Sequence, residues 1–144
     1  MEKLEQIIFY SIDKAIRTYR QYAQQQLKKE GFSMTVDQWL VIKCILENPK
    51  IMQQDIADIV FKDNASVTRI ISLLVREKYL TRSVMRSNRR RVVLNVSNLG
   101  KETIHAIDLL VLKNRQIALE GISQDEIQIT RKVLEQITLN CKKS

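Results

Sequence analysis

Glycine, proline and histidine are scarce in this chain of 144 residues, which has three glycines, one proline and one histidine. So few glycines leave no room for a glycine-rich loop that cradles a phosphate. The lone His105 has no cysteine or carboxylate cluster around it, so a metal site is not expected, and a structural or surface place on a helix is its plain reading. No nucleophile stands beside a base, and no carboxylate pair emerges, so the sequence predicts neither an enzyme nor a cofactor. The two cysteines, Cys44 and Cys141, have no paired spacing, which speaks against a disulfide framework and fits a reducing cytoplasm. Apolar runs last only a few residues, far below the roughly 20 that span a bilayer. The opening Met1-Glu2-Lys3-Leu4-Glu5-Gln6 carries no basic segment followed by an apolar core, so no secretory leader is expected. These absences point to a cytoplasmic protein with no membrane partner.

Acid is also missing from one long stretch. The 24 residues from Lys78 to Lys101 hold Lys78, Arg82, Arg86, Arg89, Arg90, Arg91 and Lys101 and not one Asp or Glu. The chain as a whole is +8, so this block carries +7 and the remaining 120 residues only +1. Charge gathered in one place suits a polyanionic partner. The length and the 44% apolar content fit one domain, 1–144, able to bury about two thirds of its unfolded surface without a disulfide or metal.

The few helix breakers punctuate the chain. From about Lys3 to Glu30, Ile8, Ile12, Ile16 and Tyr19 recur at steps of three and four, the mark of one helix face, and Gly31 suits the left-handed residue that closes a helix. Thr35-Val36-Asp37-Gln38 is a capping box that opens a second helix through Trp39, Ile42 and Ile45–Leu46, stopping before Pro49. Two short helices follow. In the first, about Gln53 to Val60, the expected inward residues are Ile56, Ile59 and Val60. In the second, about Asn64 to Lys78, Val67, Ile70, Ile71 and Leu74 form the inward stripe. Its opposite face carries Ala65, Arg69, Ser72 and Arg76, with Thr68 at the edge. The period then becomes two, in Leu80–Val84 and Val92–Val96, around a polar tip at Arg86-Ser87-Asn88-Arg89, which predicts a β-hairpin. Ser97 is a good cap for a long helix to about Glu120, ended by Gly121. Ser123-Gln124-Asp125-Glu126 opens a last helix carrying Ile127, Thr130, Val133–Leu134 and Ile137.

The predicted order is α-α-α-α-β-β-α-α, a mainly α chain. Two short helices, the second with a polar outer face, and a basic hairpin make a winged helix-turn-helix, expected over 35–96. Such a helix fits the major groove of duplex DNA, where base edges differ, and a basic wing finds strong negative potential in the minor groove. The long flanking helices, 1–31 and 97–144, have more apolar face than one small winged module covers, so a second copy is expected to bury them.

At these residues the chain resembles the MarR family of bacterial transcriptional regulators. The likeness is carried by Thr35-Val36-Asp37-Gln38-Trp39-Leu40-Val41-Ile42, by Ser66-Val67-Thr68-Arg69-Ile70-Ile71, and by Leu74-Val75-Arg76-Glu77-Lys78-Tyr79-Leu80-Thr81-Arg82. Its most specific stretch is Asn88-Arg89-Arg90-Arg91-Val92-Val93-Leu94-Asn95-Val96-Ser97-Asn98-Leu99-Gly100, similar to the family's Asp-x-Arg wing and the helix start that follows it. The resemblance implies a homodimer with interlocking dimerisation helices that binds a pseudopalindromic operator, most often as a repressor released by a small aromatic or anionic effector. It assigns Ser66, Thr68 and Arg69 to the major groove and Arg90 to the minor groove, with the other wing arginines mostly on phosphates. Asn88 stands where an Asp is usual, Met85 where a second acid is common, Lys78 at a usual Gly and Met52 at a frequent Ser or Thr cap.

The expected DNA-binding set is Ser66, Thr68, Arg69, Ser72, Arg76, Arg82, Arg86, Arg89, Arg90 and Arg91. Arg69 has a second reading, an ion pair with Asp63 or Glu77, and Arg76 reads as a phosphate or structural contact. Tyr10, Arg17, Tyr19 and Trp39 are candidates for an effector pocket, with core or dimer packing (for the aromatics) and solvent exposure (for Arg17) as their other readings. Cys44, beside Ile45 and Leu46, reads as a small buried hydrophobe. The acid-free wing also suits a weakly specific architectural DNA-binding protein of the same fold.

Overall fold

Both capping boxes open helices in the computed structural model, which describes residues 1–88 and 91–143. The chain divides into two compact units, Met1–Asn114 and Arg115–Ser144.

In the first unit a short 3-10 turn (Leu4–Gln6) precedes α1 (Ile8–Lys29). Gly31 closes α1 at φ +82°, in open space, a backbone state that glycine adopts without strain. At α2 (Val36–Glu47), Thr35 Oγ1 accepts from the Gln38 amide at 3.1 Å and Gln38 Oε1 accepts from the Thr35 amide at 3.0 Å. α3 (Gln53–Val60) starts at Met52 without a side-chain cap, as its departure from the family pattern suggests. Asp63 caps α4 (Asn64–Arg76) by accepting from the Ser66 amide at 2.7 Å. β1 (Leu80–Val84) and β2 (Val92–Val96) pair antiparallel, from Leu80 opposite Val96 to Val84 opposite Val92. α5 (Asn98–Ala118) follows, and the first unit takes it as far as Asn114.

The core of this unit lies among α2, α3, α4, the root of the hairpin and α5. Met34, Val41, Ile42, Ile56, Val67, Ile71, Leu74, Leu80, Leu94, Ile104 and Ile107 are buried there. On the hairpin Leu80 and Leu94 are buried, whereas Val84 and Val92, the pair nearest the tip, are exposed. One inward assignment is corrected: Ile59 is 54% exposed. A helix of two turns presents one narrow seam, which Ile56, Ala57 and Val60 fill, and Ile59 falls to the side of it.

Among the described residues, two that are not glycine sit in the left-handed region, Phe61 at φ 60° after α3 and Lys78 at φ 67° after α4. Each costs roughly 1–2 kcal/mol of local strain. For Lys78 the sequence pattern foreshadows this; for Phe61, 87% exposed in the turn between the two short helices, nothing does.

In the second unit, Ser123 Oγ accepts from the Glu126 amide at 3.1 Å and Glu126 Oε1 from the Ser123 amide at 3.0 Å, opening α6 (Gln124–Lys142). The two hydrogen bonds from Ser123 hold the Glu126 carboxyl below its ordinary pKa. Ile127 and Ile137 are half-buried, and Val133 and Leu134 are exposed.

Candidate nucleic-acid interface

The expected division of α4 into two faces is observed. Val67, Ile71 and Leu74 are buried and Ile70 half-buried, while Ala65, Thr68, Arg69, Ser72 and Arg76 are exposed and Ser66 half-buried. A helix wedged into the core along one stripe holds the other stripe rigidly toward solvent.

On that outer face, each of three hydroxyls accepts from a neighbouring side chain. Ser66 Oγ accepts from Arg69 Nη2 at 3.3 Å. Thr68 Oγ1 accepts from Gln53 Nε2 at 2.6 Å and donates to the Asn64 carbonyl at 2.8 Å. Ser72 Oγ accepts from Arg82 Nη2 at 3.1 Å, which draws a β1 arginine across to α4. Arg69 thus turns to Ser66, and its charge acts on Asp63 as well. The amide and hydroxyl of Ser66 hold the Asp63 carboxyl below its ordinary pKa, and Arg69 adds to that lowering.

The hairpin continues the basic surface. Arg82 and Arg86 are exposed. Arg91 is half-buried, and its guanidinium donates to the Lys50 carbonyl at 3.0 Å, which anchors the base of the wing tip to the loop before α3. In the same tip the Met85 amide donates to the Arg91 carbonyl at 3.1 Å. Arg89 and Arg90 lie outside the described residues. The structure therefore brings Ser66, Thr68, Arg69, Ser72 and Arg82 onto one connected surface.

The hairpin is locked to α5 at its root. Ser97 Oγ donates to the backbone carbonyls of Lys78 and Tyr79, at 2.6 and 3.1 Å, and accepts from the Gly100 amide at 3.0 Å. The Ser97 amide donates to the Tyr79 carbonyl at 3.0 Å. Gly100 faces that same carbonyl so closely that a Cβ would stand 2.5 Å from its oxygen. Behind the helix-turn-helix, Asp37 meets Lys62 at 3.2 Å and Arg20 at 3.9 Å, and Gln24 accepts from the Val36 amide at 3.0 Å.

Two of the four effector candidates, Trp39 and Arg17, have polar partners of their own. Trp39, half-buried, donates its indole N–H to Asp108 on α5 at 3.0 Å, and Lys43 reaches the other carboxylate oxygen at 3.2 Å. Lys43 also lies 5.8 Å from the Trp39 ring centre. Arg17 pairs with Asp13 on its own helix at 2.9 Å. Tyr10 is exposed and Tyr19 half-buried on α1. Sequence reasoning missed Gln53, Lys50 and Asp108 as partners of these residues, because each meets its partner across the fold with no local signal.

Cys44 is buried, and burial, helped by the charge of Glu47, pushes its thiol up from the ordinary value, while Cys141 is exposed. His105 is exposed on α5. Among the described residues no three His, Cys, Asp or Glu side chains gather as a metal site, and no helix is long and apolar enough to cross a membrane.

Residues 34–92 match the model of the MarR family. No curated protein matches the sequence. Among solved structures, the transcriptional regulator SlyA is 25% identical, with 93% of each chain covered and a TM-score of 0.82. BpsR of Bordetella bronchiseptica, whose DNA binding is regulated by 6-hydroxynicotinic acid, is 17% identical over 96% of this chain and 97% of its own, with a TM-score of 0.85. A MarR mutant from E. coli, complexed with operator DNA, is 17% identical over 88% of this chain and 89% of its own, with a TM-score of 0.79. The match to the MarR family model thus runs from just before α2 to the start of β2, and along nearly the whole chain the fold is similar to that of solved transcriptional regulators.

Proposed function

We propose that this protein is a homodimeric, sequence-specific DNA-binding repressor that a small molecule releases from a pseudopalindromic operator. Each subunit lays α4 in a major groove and the wing, with Arg86, Arg89, Arg90 and Arg91, against the flanking minor groove or phosphates. Arg76 and Arg82 meet phosphates at the groove edge. The observation that carries this reading is the outer face of α4, exposed, arginine-bearing and tied to the wing by Arg82 and Ser72. The likeness to a MarR protein solved on operator DNA supports it.

Homodimerisation is supported by α1, on which Ile8, Phe9, Tyr10 and Ile16 are exposed. Ile8, Phe9 and Ile16 fall within about 100° of one another around the helix, and such an apolar face in water calls for a partner, which a second copy supplies. Domain roles follow: 35–96 reads DNA, and 1–31 with 97–144 holds the dimer within one MarR-like domain, 1–144. The effector is a small aromatic or anionic molecule, for which Tyr10, Arg17, Tyr19 and Trp39 are candidate contacts. It acts by favouring a dimer whose two α4 helices no longer match half-sites about one turn apart. The protein works in the cytoplasm, without a cofactor and without catalysis.

The acid-free stretch 78–101 favours a second reading, a weakly specific architectural protein. Selection of DNA fragments by the purified protein at about 150 mM salt with excess competitor separates the two. An enriched pseudopalindrome supports the repressor. Binding without enrichment that collapses steeply as salt rises replaces it with the architectural reading.

A further inference from the structure

The hydroxyl of Thr68 is already engaged within the protein. A threonine hydroxyl has one proton to donate and two lone pairs. Here the proton goes to the Asn64 carbonyl at 2.8 Å, and one lone pair receives the Gln53 amide at 2.6 Å. Thr68 is nevertheless exposed, on the outer face of α4. A second amide bridge, from Asn64 Nδ2 to Gln54 Oε1 at 2.6 Å, ties the first turn of α4 to the start of α3 next to it. With its proton and one lone pair used within the protein, Thr68 has no hydrogen to donate to a base; what it offers a partner is its methyl group and a single remaining lone pair.

In the major groove the one apolar landmark on a base edge is the C5-methyl of thymine. We infer that Thr68 reads a thymine methyl in each half-site through its own methyl, and that Gln53 is a positioning residue that holds the Thr68 rotamer. The inference rests on the reading of α4 as the major-groove helix. It adds a base identity, thymine, and a residue from α3 that does not itself touch the base edge.

The probe is the duplex that wild-type protein enriches from a random library, resynthesised with each symmetry-related thymine pair replaced by deoxyuridine. Deoxyuridine removes only the methyl and leaves pairing and the O4 acceptor intact. One pair should prove sensitive, with affinity falling about fourfold per methyl lost and on the order of tenfold for both half-sites. Thr68→Val keeps a methyl and, unlike threonine, is held in one helical rotamer by its own branching without Gln53, so it should retain that preference for thymine over deoxyuridine. Thr68→Ser keeps the hydroxyl and should erase it. Gln53→Ala should reduce the same ratio; an equal loss on both duplexes would mean a phosphate contact and overturn its positioning role. Both residue 68 variants are conservative surface changes, and their melting curves should match the wild type. A wild-type protein indifferent to every deoxyuridine, or a Thr68→Val variant that loses the preference while Thr68→Ser keeps it, overturns the inference. Failure to enrich any sequence sinks the operator reading itself, which is a distinct result.

Discussion

Replacing Gly100 by alanine inserts one methyl group at the most crowded backbone crossing of the winged module. The new Cβ would stand 2.5 Å from the Tyr79 carbonyl oxygen and 2.8 Å from a Val96 methyl. Neither can swing aside. The Tyr79 carbonyl is held by the amide and hydroxyl of Ser97, at 3.0 and 3.1 Å, and Val96 pairs with Leu80 in the hairpin. Forcing a methyl into a filled site costs about 1–3 kcal/mol. Moving α5 away to relieve the clash also breaks the Ser97–Gly100 cap, worth about 1 kcal/mol. Gly100→Ala should therefore lower the unfolding free energy by about 2–4 kcal/mol, read as the urea midpoint by circular dichroism at fixed protein concentration. Two companions separate the causes. Ser97→Ala removes the cap without a clash and should cost about 1 kcal/mol. Gly31→Ala meets open space but must hold φ +82°, so it should cost about 1–2 kcal/mol through the backbone alone. A loss below about 0.5 kcal/mol for Gly100→Ala, the scatter of an ordinary surface change, would refute the close-approach argument.

Ser72→Ala frees Arg82 from α4, and Arg82→Ala removes its charge; the second should weaken operator affinity by about 1–3 kcal/mol and flatten the salt dependence, the first by less. Equal affinity of Arg82→Ala and wild type would take Arg82 out of the interface. Asp63 has a lowered carboxyl pKa in the folded chain, so its cap stabilises above the ordinary value of 3.8 and is lost as pH falls through the lowered one. The acid side of the stability curve should accordingly flatten in Asp63→Asn, which still caps α4 but does not titrate, and an unchanged acid limb would exclude Asp63 as a contributor. Asp108→Ala leaves the Trp39 indole and Lys43 without their shared acceptor and should cost about 1–3 kcal/mol. Since Trp39 is the single tryptophan, its fluorescence reports the loss directly, and an emission spectrum and midpoint like those of the wild type would contradict the contact. Iodoacetamide near neutral pH should label exposed Cys141 quickly and buried Cys44 only after denaturant is added; equal native rates would contradict the burial of Cys44.

The sequence by itself determined what depends on neighbours three and four residues apart. Helix periodicity, the capping boxes at Thr35 and Ser123, the close of α1 at Gly31, the hairpin strands and the two-faced character of α4 all follow from such short spacings, and all appear in the fold. The concentration of charge in 78–101 is likewise a property of the linear chain. Tertiary structure decided which polar groups meet. Trp39 and Asp108 are 69 positions apart, Lys50 and Arg91 are 41, and Gln53 and Thr68 are 15. None of these pairs leaves a local trace, because each residue alone looks like an ordinary exposed polar side chain. Ile59 shows the same limit for packing. Its apolar character and its place near the inward stripe suit burial equally well on paper, but a two-turn helix has one seam, and only the packing against α2 and α4 settles that Ile56, Ala57 and Val60 fill it. Local spacing sets the elements because backbone hydrogen bonds are short-range. The outer surface of α4 was decided by the fold, which alone brings side chains on α3, α4 and β1 within hydrogen-bond reach of one another.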